Sequence, residues 1–203
     1  MRGERLFGPY FDLVPAPSRL RDYVLAELGS PSRRWHGLVH HALMLRAVTR
    51  AEHPASERRL LVLATLFHDI VYDARRGDNE EASAAIASDW LSGSERNEVV
   101  RMILATKRHD LDTDPVTRTL LEADLAILWT GSARLYDFYA RGIRAEYAHV
   151  PDAAYRSGRS AVLTQLRESL TPTLDRHRAE ALAANVAVEL TALASGRLDH
   201  GAE

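Results

Sequence analysis

The chain contains no cysteine among its 203 residues. This absence excludes disulfide bonds, a cysteine nucleophile and any zinc site that is built on thiolates. Apolar residues make up 46% of the chain and charged residues 27%, which is typical of an ordinary globular protein. We therefore expect the core to form by apolar packing alone, in one domain with at most a small extension.

The chain also lacks a clear excess of either charge, because 26 basic and 28 acidic residues give a net charge of −2. A surface that binds nucleic acid usually carries a basic excess, so no nucleic-acid partner is expected. The longest apolar run, LLVLATLF, is much shorter than the roughly 20 residues of a membrane span. The N-terminal segment MRGERLFGPYFDLVPAP has no long apolar stretch of the secretory type. These features predict a cytoplasmic protein without a membrane partner.

Strand-like alternation of apolar and polar residues is missing too, and apolar residues instead recur at helical spacing. The sequence predicts a single all-α domain of about eight helices over residues 17–196. An irregular arm is expected over residues 1–16 and a tail over residues 197–203. The predicted helices comprise one that ends at Gly29, one from Pro31 through Ala51, one capped by Ser56, one from a capping box at 78–81 to near Gly93, one capped by Ser94, and stretches over about 115–129, 133–149, 152–170 and 174–195.

Several ionisable side chains lie on the apolar faces of these predicted helices. His68 and Asp69 stand side by side at the end of the longest apolar run, and Asp124 lies in the middle of the apolar face of TLLEADLAIL. An unpaired buried carboxylate costs several kcal/mol, so each aspartate needs a partner. His109 points in the same direction as the apolar residues of its own segment.

A second pair of histidines points to the same interior. His36 and His40 are four residues apart and are expected to share one helix face, whereas His41 lies roughly 100° away. A lone histidine on an apolar face is usually a core residue, and an isolated aspartate can pair with arginine. Four helices nevertheless direct such groups inward, and one divalent cation would satisfy them all. Nitrogen and oxygen ligands suit Mn, Fe, Co, Ni, Zn or Mg.

The ordered set His40, His68-Asp69 and Asp124 resembles the H…HD…D signature of the HD-domain superfamily of metal-dependent phosphohydrolases. The resemblance extends over about residues 30 to 190 and is strongest to an uncharacterised subfamily of predicted HD phosphohydrolases. The segments that carry it are RRWHGLVHHALML, LFHDIVYD, DNEEASA, ATKRH, EADLAIL, IRAEY and the spacing from Asn185 to Glu189. One departure is Glu122, which stands where related sequences usually have aspartate.

The resemblance implies an HD-type helical bundle that holds one divalent metal ion through His40, His68, Asp69 and Asp124. The resemblance favours His40 over His36, because a hydrophobic helical stretch typically follows the first histidine of the signature, and ALML follows His40. This histidine also lies at about the expected distance from the His-Asp pair. His36 then lies behind the ligands or faces the substrate. The additional histidines of binuclear relatives have no match in this chain.

The function that the resemblance implies is metal-dependent hydrolysis of a small phosphate ester or nucleotide. Glu80 and His109 are the candidates for catalytic roles, although Glu80 equally suits the first turn of a helix. The candidates for contacting the phosphorylated substrate are His36, Asn79, Lys107, Arg144 and Arg159.

Other classes of function compete with this one. The same fold can serve as a regulatory module that binds a nucleotide with slow turnover or none. Iron-dependent oxidative chemistry is disfavoured, because such relatives tend to use a dinuclear site with more histidines. A helical interaction protein with buried ion pairs would have to produce the same segments by chance. The sequence leaves the substrate and the metal open, and a homodimer is compatible with it.

Overall fold

The computed structural model describes residues 2–14 and 17–199, and its secondary structure is helical, with no strand in this part of the chain. The expected all-α class is confirmed, but the described residues form ten α-helices where about eight were predicted. Two short 3-10 helices accompany them. The α-helices are α1 (Arg2–Phe11), α2 (Ser18–Leu28), α3 (Leu38–Arg50), α4 (Ala55–Phe67), α5 (Asn79–Trp90), α6 (Gly93–Ala105), α7 (Pro115–Leu125), α8 (Ala133–Glu146), α9 (Asp152–Leu170) and α10 (Arg176–Ala194).

The helices fall into two compact units, and the boundary lies between Asp124 and Leu125. The sequence predicted one continuous domain over residues 17–196, so this division was not anticipated. The first unit contains α1 to α7, apart from the last residue of α7, and the second contains α8 to α10. The end of the predicted tail, residues 200–203, lies outside the described residues.

The N-terminal segment corrects the expectation of an irregular arm. Arg2–Phe11 forms α1, although Pro9 lies inside this helix. Phe7 and Phe11 are four residues apart, which places both rings on one face, and both are buried in the core of the first unit. Burial of two aromatic rings stabilises a helix that local propensity disfavours. Residues 15 and 16 of the predicted arm are outside the described part.

The segment before α3 also differs from the prediction. Residues 31–37 form turns, and α3 begins only at Leu38 rather than at Pro31. Gly37 has an extended backbone, and a Cβ atom placed on it would lie 2.7 Å from the carbonyl oxygen of Leu28. Because only glycine permits this close approach, the chain turns here before the helix starts.

The core of the first unit is built around α4. Seven consecutive residues of this helix, Leu61 to Phe67, are buried, and α4 packs against α3, α5 and α6. A helix that is apolar on nearly every side requires neighbours all round, which agrees with its predicted central position. Among the described helices, none combines the length and the apolar character needed to cross a membrane.

The second unit packs α10 against α8, α9 and the 3-10 helix Ala126–Trp129. Asn185 of α10 donates hydrogen bonds to the carbonyl oxygens of Leu128 and Thr130, both at 3.0 Å. Glu189, one turn further on, is buried and accepts a hydrogen bond from the hydroxyl of Tyr136 at 2.8 Å. The late Asn185-to-Glu189 spacing therefore supplies polar contacts that join α10 to its neighbours.

The start of α7 is fixed by Asp114. Its Oδ1 accepts hydrogen bonds from the backbone N–H groups of Val116, at 3.2 Å, and Thr117, at 3.0 Å, and its Oδ2 accepts one from Arg101 at 2.8 Å. Burial favours the neutral carboxyl, but these hydrogen bonds outweigh it and lower the pKa of Asp114 to about 2.

Replacement Asp114→Ala should lower the free energy of unfolding by about 1 kcal/mol at neutral pH, since it removes the helix cap. The folded-state pKa lies below the unfolded value of about 3.9, so the ionised carboxylate stabilises the fold above about pH 4 and loses this effect as the pH falls toward 2. Urea unfolding of both proteins at pH 7 and pH 3 should show the difference narrowing at pH 3. Asp112→Ala, in the same loop, is the control. A difference that is independent of pH would contradict this role.

Candidate metal centre

Four ionisable residues reach the interior of the first unit from three helices. His40 lies in the first turn of α3, His68 caps the C-terminus of α4, and Asp69 follows it directly. Asp124 is the penultimate residue of α7. The imidazoles of His40 and His68 are buried, and the carboxylates of Asp69 and Asp124 are only 14% and 13% exposed. The buried faces of α3, α4 and α7 therefore place all four groups in one apolar region.

The ligand-type atoms of these residues lie close together. Nε2 of His40 is 3.2 Å from Nε2 of His68 and 3.1 Å from Oδ1 of Asp124. Nε2 of His68 is in turn 3.1 Å from Oδ2 of Asp69. One atom each of His40, His68 and Asp124 lies within 4.8 Å of the others, and this group could hold a metal ion.

The orientation of His68 suits a metal ligand. Its Nδ1 is 3.0 Å from the carbonyl oxygen of Thr65. A carbonyl oxygen only accepts hydrogen bonds, so Nδ1 carries a proton and donates it. Nε2 lies 3.1 Å from Oδ2 of Asp69 and donates a second proton to it, and a metal ion that binds here would displace that proton. A backbone hydrogen bond that fixes the ring in this way is the usual support of a metal-binding histidine.

The pKa values of the four groups follow from burial and from their mutual charges. Burial lowers the pKa of His40, whereas for His68 the carboxylates of Asp69 and Asp124 outweigh burial and raise the pKa to about 9. Burial would raise the pKa of either aspartate, but the neighbouring imidazoles hold both well below their usual range. The two carboxylates thus stay ionised and attract positive charge. The donor set, two imidazole nitrogens with carboxylate oxygens, fits a divalent cation.

His36 is not on α3, because it lies in the turn before that helix, so the expectation that it shares a helix face with His40 was wrong. The two rings are still neighbours, with centroids 5.7 Å apart. The half-buried ring of His36 also stacks on Tyr72 with a centroid distance of 4.1 Å. Contact with substrate stays a prediction for His36.

His41 is a core histidine that packs beside the cluster. Its Nδ1 donates to the carbonyl oxygen of Gly37 at 3.0 Å, and its ring centroid is 4.8 Å from that of His68. Burial lowers the pKa of His41 well below its usual value, so the ring is neutral. This uncharged ring forms part of the wall against which His68 rests.

His109 lies in the turn after α6 and contacts the cluster through Asp124. Its Nε2 donates to Oδ2 of Asp124 at 2.9 Å, and its side chain is 29% exposed. The sequence predicted that His109 points inward, and this contact agrees with that direction. Its catalytic role stays a prediction.

Asn79 of the DNEEASA segment and Lys107 contact the protein's own backbone and side chains. The side chain of Asn79 accepts from the N–H of Asp73 and donates to its carbonyl oxygen, both at 3.0 Å. Lys107 donates to the carbonyl oxygen of Gly77 at 3.0 Å and pairs with Glu81. These contacts favour a structural role for Asn79 and Lys107, because each residue binds the backbone of the loop between α4 and α5. The predicted substrate contacts of both residues stay untested.

Glu80 lies in the first turn of α5 and is half-buried. This position agrees with the alternative interpretation of Glu80 as a residue of the first helical turn, since a glutamate at a helix N-terminus interacts favourably with the helix dipole. The proposed catalytic role of Glu80 stays a prediction.

Arg144 and Arg159 belong to the second unit and have partners there. Arg144 donates to the carbonyl oxygens of Tyr147, at 2.8 Å, and Val150, at 3.1 Å. Arg159 forms a buried ion pair with Glu189 at 2.8 Å. These contacts favour structural roles over the predicted contacts with substrate, which stay untested for both arginines.

Sequence reasoning missed Arg33, which fixes the backbone beside the cluster. Its buried guanidinium donates to the carbonyl oxygens of His36, at 3.2 Å, Ile70, at 2.7 Å, and Asp69. Arg33 thereby joins the turn before α3 to the segment that carries the His-Asp pair. The only sequence signal for this role of Arg33 is its place in the RRWH segment, and that segment does not distinguish Arg33 from Arg34.

Replacement Arg33→Met should lower the free energy of unfolding by about 2–3 kcal/mol, because it leaves buried carbonyl groups without donors. Arg34→Met is the matched control, since Arg34 is exposed and should change stability by no more than about 0.5 kcal/mol. Urea unfolding of the two variants and the wild type measures both effects. Equal, small changes in the two variants would show that Arg33 does not hold this part of the fold.

Comparisons of the chain with protein-family models, with curated proteins and with solved structures find no match. The resemblance to the HD-domain superfamily therefore stays a prediction from the sequence motifs.

Proposed function

We propose that the protein is a metal-dependent phosphohydrolase of the HD type, which acts on a small phosphate ester or nucleotide. One observation carries the proposal: Nε2 of His40, Nε2 of His68 and Oδ1 of Asp124 converge from three helices, at separations of 3.2, 3.1 and 3.9 Å. Asp69 adds a carboxylate 3.1 Å from His68. The order of these residues along the chain is that of the H…HD…D motif.

The chemistry of this donor set suits a phosphorylated substrate. A divalent metal ion bound here would offset the charge of a phosphate group and lower the pKa of a bound water molecule. Asp69 and Asp124 would hold such an ion together with the two imidazoles, and its remaining coordination positions would be available to water and a phosphate oxygen. The apolar shell from α4 excludes bulk water from the rear of the site and strengthens these interactions.

The surrounding residues limit which groups can transfer protons. Nε2 of His109 donates to Asp124, so only its Nδ1 is available to a substrate. Glu80 is the remaining candidate for a general acid or base, and its half-buried position at the start of α5 is compatible with proton transfer. His36 lies beside His40 and is the candidate for contact with the substrate.

The test is hydrolysis of p-nitrophenyl phosphate and of a panel of nucleotides, with Mn²⁺, Mg²⁺, Co²⁺, Ni²⁺, Zn²⁺ or Fe²⁺ added in turn. Wild type should release phosphate with at least one metal, and Asp124→Ala should reduce the rate by more than about 100-fold because it removes a ligand. Asp89→Ala, an exposed residue of α5, should retain the wild-type rate.

Each other outcome has a distinct meaning. Retained activity in Asp124→Ala would contradict the assignment of the ligands. Tight nucleotide binding without phosphate release, across all the metals, would replace the proposed hydrolase with a regulatory nucleotide-binding module.

A further inference from the structure

The backbone of His109 has a left-handed conformation. Its φ is +50°, and no other non-glycine residue among those described has a positive φ. The N–H of His109 donates to the carbonyl oxygen of Ala105 at 3.2 Å, an arrangement that ends a helix. Glycine or asparagine usually occupies this position, because a β-carbon there crowds the backbone. A histidine in this place points to a requirement for its side chain.

The side chain of His109 contacts Asp124, and this contact accounts for a histidine at that position. Oδ2 of Asp124 accepts a hydrogen bond from Nε2 of His109 at 2.9 Å, and Oδ1 lies 3.1 Å from Nε2 of His40. The carboxylate is therefore held from both sides. Its Oδ1 faces the cluster of possible ligands, while Oδ2 is engaged by His109.

We propose that His109 is a positioning residue that sets the metal preference of the centre by leaving Asp124 only one oxygen for coordination. The inference rests on the metal site of the proposed function. Ca²⁺ takes six to eight oxygen ligands and often binds a carboxylate through both oxygens. A site with two imidazoles and a carboxylate limited to one oxygen favours a small transition-metal ion such as Mn²⁺ or Zn²⁺ over Ca²⁺.

Two substitutions separate the hydrogen bond of His109 from its other effects. His109→Gln keeps an N–H donor of similar reach, whereas His109→Leu has a similar size and no donor. Both keep a β-carbon in the left-handed conformation, so the backbone strain is the same in the two variants. His177→Leu, at an exposed histidine of α10, is the control.

The dissociation constants for Mn²⁺ and Ca²⁺ are measured for each protein by following thermal unfolding during titration with each metal alone. His109→Leu should weaken Mn²⁺ binding by about 10- to 100-fold, as is usual when the support of a ligand is lost. Ca²⁺ binding should weaken less, so the preference for Mn²⁺ should fall on the order of 10-fold. His109→Gln should restore most of the Mn²⁺ affinity and of the preference, and His177→Leu should match the wild type.

The remaining outcomes distinguish the inference from the proposed function. If wild type binds Mn²⁺, Asp124→Ala does not, and His109→Leu keeps the wild-type preference, the inference is overturned and the metal site stands. Equal losses for both metals in His109→Leu and His109→Gln would reduce His109 to a packing role and also overturn it. If wild type binds neither metal, the proposed site and this inference both fail.

Discussion

The buried contacts between two carboxylates and the imidazoles of His40 and His68 in the first unit govern the structure around them. Removing such charges from water costs several kcal/mol for each ion, and only close partners compensate for this. Asp124 shows how the compensation works, since its oxygens contact His40 on one side and His109 on the other. The ends of α3, α4 and α7 and the turn after α6 must therefore keep their mutual positions. Loss of any one partner weakens the compensation of a buried charge.

The backbone around the cluster is fixed by contacts that are not part of the cluster itself. The carbonyl oxygen of Thr65 sets the ring orientation of His68, and Gly37 lets the chain approach α2 before α3 begins. Arg33 holds the turn before α3 against the carbonyl oxygens of Asp69 and Ile70. Such contacts give the ligand-type atoms defined positions, which a binding or catalytic site needs. The left-handed backbone of His109 is held by that residue's own contacts with Asp124 and with the carbonyl oxygen of Ala105.

The sequence predicted those parts of the fold that depend on local patterns. The apolar faces of α4 and α7 identified these two helices, and the same faces predicted that His68, Asp69 and Asp124 point inward. The helix α1 and the turn over residues 31–37 were missed, because Phe7, Phe11 and Gly37 adopt their conformations through contacts with distant parts of the chain. The partners of Asn79, Arg144 and Arg159 were beyond prediction for the same reason. The identity of a polar residue in a motif does not reveal whether its side chain binds a substrate or a backbone carbonyl group.

The most direct test of the account is a crystal structure of the protein soaked in Mn²⁺, with anomalous scattering data collected to locate the metal. The account predicts one strong anomalous peak in the first unit, coordinated by Nε2 of His40, Nε2 of His68 and Oδ1 of Asp124, with Asp69 as a further ligand. Density for Mn²⁺ at another place, or a cluster that remains closed by its own ion pairs at saturating Mn²⁺, would contradict it. Either contradiction would identify the buried His-Asp pair as a purely structural feature.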